Sequence, residues 1–327
     1  MASIDSVAAP DSTDSAGSPR TAGSAVSAAA PETSLEAVDS ARPAPTRLAL
    51  VQMAPSLGDR QRNLTLHLER IDEARRQGAH LIVFPELSLT GYFLRDMVPD
   101  VALSPTSDEL ARLIEAAGPA SLVLGFVEES SHHRYYNTAV YAEAGRIVHL
   151  HRKVYLPTYG LFDERRYFAP GDQFRAFDSA QLGRVGLLIC EDFWHLSALA
   201  LMQAEEVDLL LCLSNSPARG VNAPRLRTAE SYERFCRTYA ELLGAVVVFV
   251  NRTGFEDGVC FWGGSMVVGP DAELLAQGPL FDEALVLADL DRADLRRRRI
   301  RTPLSRDEQL LLTVEEFLRI KRRRYET

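Results

Sequence analysis

The sequence predicts an α/β fold. From Arg47 onward, short apolar runs alternate with longer amphipathic stretches. Turn residues separate them, and 46% of the 327 residues are hydrophobic, enough for a substantial core. A helical bundle would lack the β-branched runs, and an all-β sandwich would lack the amphipathic stretches. In order along the chain, LALVQ at 48–52 reads as a strand, 61–77 as a helix, HLIVF at 80–84 as a strand and 106–117 as a helix. Strands at 121–127, 137–142, 147–154 and 185–189 follow, each chosen for apolar and β-branched density. The rest reads as helix 195–205, strand 209–213, helix 225–243, strands 246–251, 264–268 and 284–289, and a last helix at 307–320. Ten strands make one large sheet or two packed ones.

Residues 1–46 differ from all of this. They hold 12 Ala, 9 Ser, 5 Pro, 4 Thr and 2 Gly with no aromatic, too little apolar area to order a chain, so a disordered tail is expected there. Its first basic residue is Arg20, after three aspartates, which is unlike a secretory signal. The expected organisation is therefore a tail at 1–46, one catalytic domain at 47–305 and a basic helical extension at 306–327. No run reaches the roughly 18 apolar residues of a membrane span. A net charge of −9 argues against general nucleic-acid or anionic-lipid binding. The basic C-terminal stretch, with Arg296–Arg299 and Lys321–Arg324, carries no interleaved aromatic platform for RNA, so structural or subunit-interface ion pairs are the expected use. Four cysteines at 190, 212, 236 and 260 show no disulfide or zinc spacing, and a reducing cytoplasm is the expected setting.

Three strands end in reactive side chains. The run 80–84 leads into Pro85-Glu86, 147–152 into Lys153, and 185–189 into Cys190-Glu191-Asp192. Ligands bind beyond the carboxyl ends of strands in α/β sheets, because side chains from several strands converge there. A cysteine with an ordinary pKa is only a few per cent thiolate at neutral pH, so a carboxylate base and a cation would both assist its attack on a carbonyl. Glu86 and Lys153 supply them. Cys212 and Cys236 sit among apolar neighbours and read as core residues, while Cys260 falls in a loop. His149 and His151 share one strand face, a spacing metal sites use; without further ligands at suitable spacing, a hydrogen-bonded face is the better reading and no metal is expected.

These residues resemble the nitrilase, or carbon-nitrogen hydrolase, superfamily, whose Glu-Lys-Cys triad occupies strand ends in this order. The resemblance is carried by Val51-Gln-Met-Ala-Pro55, Phe84-Pro-Glu-Leu87 with Leu89-Thr-Gly-Tyr92, Lys153-Val-Tyr-Leu-Pro157, Ile189-Cys-Glu-Asp-Phe-Trp194 and Phe261-Trp-Gly-Gly-Ser265, and it covers most of 47–310. Within the superfamily, Tyr159-Gly-Leu-Phe-Asp-Glu-Arg-Arg-Tyr-Phe168 looks most like the glutaminase domain of glutamine-dependent NAD synthetases. No Ser-Gly-Gly-type loop or Gly-x-x-x-x-Gly-Lys motif occurs, so the ATP-dependent synthetase part is expected to be absent.

The resemblance implies a four-layer α-β-β-α sandwich and cofactor-free hydrolysis of a small-molecule amide through a thioester. Glu86 would take the thiol proton, Cys190 attack, Lys153 and the Glu191 N–H hold the oxyanion, and Glu164 orient Lys153 or the substrate. Tyr92, Tyr159, Glu191, Trp194 and Ser216 would line the substrate pocket, with Glu191 meeting an ammonium group. A glutaminase-like amidase is the leading expectation. The alternatives are an N-carbamoyl-amine or ω-amide hydrolase, or a glutaminase subunit that feeds ammonia to a separate synthetase. A homodimer is implied by the same resemblance.

Overall fold

Leu48 and Leu50 leave one face of the first strand, β1 (Thr46–Gln52), while Ala49 and Val51 leave the other, and all four are fully buried. A strand with no wet face needs a layer on each side. The computed structural model, which describes residues 45–219 and 226–326, supplies both. The expected tail at 1–46 lies outside the described residues except for Pro45 and Thr46, the latter already in β1.

After helix α1 (Arg60–Arg76), β2 (Leu81–Val83) pairs in parallel with β1. The one-turn α2 (Val98–Val101) and helix α3 (Asp108–Ala117) lead to β3 (Ser121–Glu129), parallel to β2, and β4 (Tyr135–Glu143) and β5 (Arg146–Arg152) extend the sheet as an antiparallel meander. The one-turn α4 (Glu164–Tyr167) then precedes β6 (Phe177–Ser179) and β7 (Gly183–Ile189). Helix α5 (Leu196–Ala204), β8 (Leu209–Ser214), helix α6 (Arg227–Leu243) and β9 (Val246–Asn251) continue in parallel βαβ fashion. A separate hairpin, β10 (Thr253–Glu256) and β11 (Val259–Trp262), comes before β12 (Met266–Val268) and β13 (Leu274–Gln277). β14 (Ala284–Leu290) returns to pair antiparallel with β1. The two six-stranded sheets run β14-β1-β2-β3-β4-β5 and β13-β12-β9-β8-β7-β6.

Burial sorts the residues into the four expected layers. Leu48, Leu50, Leu81, Val83 and Val123 of one sheet meet Val185, Leu187, Ile189, Leu211 and Val248 of the other in a dry inter-sheet core. The opposite face of the first sheet carries Leu64 and Ile71 of α1 with Leu110 and Leu113 of α3. The second sheet's outer face carries Met202 of α5 with Tyr232, Cys236 and Tyr239 of α6. Cys212 and Cys236 are thus core residues. Cys260 stands on β11 rather than in a loop. Among the described residues no helix is long and apolar enough to cross a membrane.

The sequence pattern misses β6, β10, β11 and β13, whose three or four residues are too short to show a period. It also misses helix α7 (Arg292–Arg301), which has no apolar stripe. Ionic contacts hold it: Asp291 caps its first turn through the Ala293 N–H, Arg299 pairs with Asp208, and Arg298 and Arg301 with Asp271. The expected strand 264–268 starts only at Met266, because Gly263 and Gly264 take φ +68° and +61°. The last helix, α9 (Leu310–Tyr325), follows the one-turn α8 (Leu304–Asp307), runs five residues past the expected end and has no buried residue.

Candidate active site

Glu86 is aimed by a tight turn after β2. Leu87 adopts φ +46°, its carbonyl accepts from the Thr90 and Gly91 N–H groups, and the turn lies flat on β3. Gly125 of β3 makes that approach possible: a Cβ there would stand 2.3 Å from Leu87 N and 2.8 Å from Glu86 Cα. Lys153 stands one residue beyond β5, because the strand expected at 147–154 ends at Arg152. The Lys153 N–H donates to the Asn137 carbonyl and its own carbonyl accepts from Gly171 N–H, so the backbone is pinned on both sides.

Cys190, directly after β7, takes φ +44°, a left-handed conformation uncommon outside glycine and one found at functional turns. Asp192, fully buried two residues on, holds that turn. Its Oδ1 accepts from the Val154 and Tyr155 N–H groups at 3.1 and 2.9 Å, and its Oδ2 accepts from the Ile189 N–H at 3.2 Å and lies 2.8 Å from His151 Nε2. One carboxylate therefore ties the segment after the lysine to the turn that carries the cysteine. His151 works as a hydrogen-bonded strand residue, and His149 on the same face stacks on Phe177. Among the described residues no group of three or more His, Cys, Asp or Glu is placed to hold a metal ion.

The side chains converge. Lys153 Nζ donates to Glu86 Oε1 at 2.7 Å and to Glu164 Oε1 at 2.6 Å, with all three residues buried. Glu86 also accepts from Asn137 Nδ2 at 2.7 Å and from the Asn215 N–H at 2.8 Å, while Asn215 Nδ2 donates to the Glu86 carbonyl. Glu164 accepts from Tyr92 Oη at 2.6 Å. Around Cys190 Sγ stand Ser214 Oγ, donating at 3.3 Å, and Tyr232 Oη at 3.5 Å.

Burial and charge set the protonation. Burial, reinforced by the Glu86 charge, pushes the Cys190 thiol up to about 12, with Lys153, Ser214 and Tyr232 pulling the other way. The resting sulfur is therefore a thiol that needs a base. Burial also pushes Glu164 up to about 7, against the pull of Lys153. Burial alone would lower Lys153, but Glu164 and Glu86 outweigh it and hold the ammonium well above its usual range. A buried acceptor, a fixed cation and a protonated thiol together suit acyl transfer.

Of the expected pocket residues, Tyr92 bonds Glu164, and Tyr159 Oη donates to both Glu191 oxygens at 3.0 and 2.9 Å. His195 Nε2 lies 3.7 Å from Glu191. Trp194 reaches the cysteine indirectly, its indole N–H donating to Tyr232 Oη at 3.0 Å. Ser216, buried beyond β8, has its N–H held by Asn251 Oδ1. Sequence reasoning does not single out Asn137, Asn215, Ser214 or Tyr232. Ser214 and Asn215 carry the same strand-end signal as Glu86 and Cys190; Tyr232, inside a helix, carries none.

Comparison with known proteins adds three findings. The carbon-nitrogen hydrolase family profile matches residues 47–300. The chain is 31% identical over 255 residues to the glutamine-dependent NAD(+) synthetase of Acinetobacter baylyi and 34% identical over 251 residues to that of Thermotoga maritima. These alignments cover 78% and 75% of this chain but 46% and 42% of the synthetases, so the chain spans less than half the length of those relatives. The structure of glutamine-dependent NAD+ synthetase from Acinetobacter baumannii matches with a TM-score of 0.67 at 30% identity, covering 76% of this chain and 46% of that one. An amidase from Nesterenkonia sp. AN1, solved as a mutant with the acetamide moiety of fluoroacetamide added covalently at its active site cysteine, matches with a TM-score of 0.70 at 25% identity, covering 84% of this chain and 98% of the amidase.

Proposed function

Because the chain belongs to the carbon-nitrogen hydrolase family, we propose that it hydrolyses the amide of a small molecule through Cys190 and releases ammonia. The observation that carries the reading is the convergence of Glu86, Lys153 and Cys190, with Lys153 Nζ 2.7 Å from the base and both charges felt by the thiol. Glu86 takes the thiol proton as Sγ attacks the amide carbon. Lys153 and the Glu191 N–H stabilise the oxyanion, and the proton passes from Glu86 to the departing nitrogen. Water then adds to the thioester with its proton taken by Glu86, the C–S bond breaks with its electron pair on sulfur, and Glu86 returns the proton to Sγ. Glu164 fixes Lys153 between two carboxylates.

Glutamine-like amides are the substrate class we favour. The Glu191 carboxylate, paired with Tyr159, supports recognition of an ammonium group. The test is ammonia release by the purified chain from glutamine, asparagine, ω-amides, N-carbamoyl amines and nitriles, beside Cys190→Ala. Turnover of one class, abolished in the variant, is expected; turnover that survives Cys190→Ala sinks the mechanism.

A second reading, a glutaminase that passes ammonia to a synthetase, is supported by the chain's likeness to part of glutamine-dependent NAD(+) synthetases and by exposed Tyr159, Trp194 and Leu196 near the site. Adding a candidate synthetase would then raise ammonia release several-fold. We also propose a homodimer. The apolar residues Leu311, Val314 and Phe317 of α9 are exposed in the single chain, and a second copy would cover them.

A further inference from the structure

Tyr232 has no place in the mechanism above, yet its hydroxyl touches the sulfur. It sits on α6, 2% exposed, its ring stacked on Phe249 at 4.4 Å between centroids. Among the described residues its oxygen has two hydrogen-bond partners, Trp194 Nε1 at 3.0 Å and Cys190 Sγ at 3.5 Å. An indole N–H can only donate, so Tyr232 Oη accepts there and its own proton is left for the sulfur. Burial and the neighbouring thiols hold the phenol well above its usual range, so the donor is permanent. Ser214 Oγ gives Sγ a second donor from the end of β8. Two hydroxyl donors leave the S–H itself free to point to a base.

The geometry points to Tyr232 as a catalytic residue: a hydrogen-bond donor to Cys190 Sγ, oriented by Trp194, that stabilises negative charge on sulfur when the thiol gives up its proton and again when the C–S bond of the thioester breaks. This rests on Cys190 being the nucleophile. In the first event the proton leaves Sγ for Glu86 and the Tyr232 O–H···S contact becomes charge-assisted; in the second the C–S electron pair returns to Sγ, which takes the same contact up again. Trp194 is a positioning residue, acting through the tyrosine. The other charges that act on the sulfur are those of Glu86 and Lys153, with Cys212 close by.

The test needs no substrate. Iodoacetamide alkylation of each cysteine, read by peptide mass spectrometry from pH 7 to 9, compares the wild-type chain with Tyr232→Phe and Trp194→Phe. Loss of a charge-assisted donor lowers the thiolate fraction, and the higher nucleophilicity of the remaining thiolate offsets part of this, leaving a fall of about tenfold at Cys190 in Tyr232→Phe. In Trp194→Phe, which keeps the hydroxyl but frees its proton, a smaller fall of roughly threefold is expected, with the pH profile parallel to wild type. Cys212 and Cys236 report packing: a loosened fold speeds their alkylation, whereas loss of the donor leaves them protected. Cys190 rates unchanged or faster in both variants overturn the proposal while leaving the nucleophile assignment intact. If Tyr232→Phe does not fold, Trp194→Phe decides alone. A wild-type Cys190 that is not alkylated while Cys260 is would overturn the nucleophile reading, and this proposal with it.

Discussion

Replacing Lys153 with methionine removes the cation from between two buried carboxylates, and the structure fixes how the damage depends on pH. Glu86 keeps Asn137 Nδ2 and the Asn215 N–H as donors, whereas among the described residues Glu164 keeps only Tyr92 Oη. Leaving a buried charge without its partner costs about 3–5 kcal/mol. The fold limits that cost by protonating Glu164, which burial has already pushed up to about 7 and which loses in the variant the cation that held it down. Above pH 7 the folded variant therefore holds a proton at Glu164 that the folded wild type has released, while both unfolded chains have lost it. A native state that binds more protons than the unfolded one loses stability as pH rises. The stability gap between wild type and Lys153→Met should accordingly widen by about 1.4 kcal/mol per pH unit from 7 to 8.5, roughly 3 °C in Tm per unit for a domain of this size. Below 7 both folded forms hold the proton and the gap levels off. Urea unfolding at pH 6, 7 and 8.5 measures it, and a gap constant from 7 to 8.5 would refute the coupling of Glu164 to Lys153.

Three further outcomes follow from the contacts. Gly125→Ala drives a Cβ into the Glu86 turn, so ammonia release should fall at least tenfold with a stability loss of about 1–3 kcal/mol; unchanged activity would mean the turn does not need that close approach. Asp192→Ala strands three backbone N–H groups and His151, for a loss of roughly 3 kcal/mol or more in denaturant unfolding, together with slower alkylation of Cys190. Ending the chain before Leu310 removes α9, and light scattering should then report half the mass of the full chain; equal masses would dismiss α9 as the dimer contact.

Glu86, Lys153 and Cys190 are legible because each closely follows a strand pattern, fully or mostly buried in β2 and β7 and half-exposed in the edge strand β5, and a run such as HLIVF ending in Pro-Glu stands out against its surroundings. The same logic separates the layers, since strands covered on both faces read as continuous apolar runs. What stays hidden depends on contacts between distant segments. Asn137 opens the strand pattern 137–142 as an ordinary polar residue, and only the sheet register brings it to Glu86. Tyr232 reaches Cys190 from a helix face that looks like ordinary core. Helix α7 reads as a charge run because its partners, Asp208 and Asp271, lie in distant connecting segments. His149 and His151 share a face as their spacing indicates, but Phe177 and Asp192, which decide what they do, are remote in sequence.

The arrangement of strands also orders events in time. Glu86 and Lys153 belong to one sheet and Cys190 to the other, and the first sheet is closed at β1 by β14, where Arg47 and Asp289 pair across 242 residues of chain. Pairings of such separation are slow to form, and a chain emerging from a ribosome cannot make this one until Asp289 is out, long after Cys190 has emerged. Until the sheets dock, Cys190 is an ordinary thiol with neither base nor cation beside it. On the mechanism proposed above, catalysis waits for the two sheets to dock, and a half-made chain carries Cys190 without the groups that would activate it.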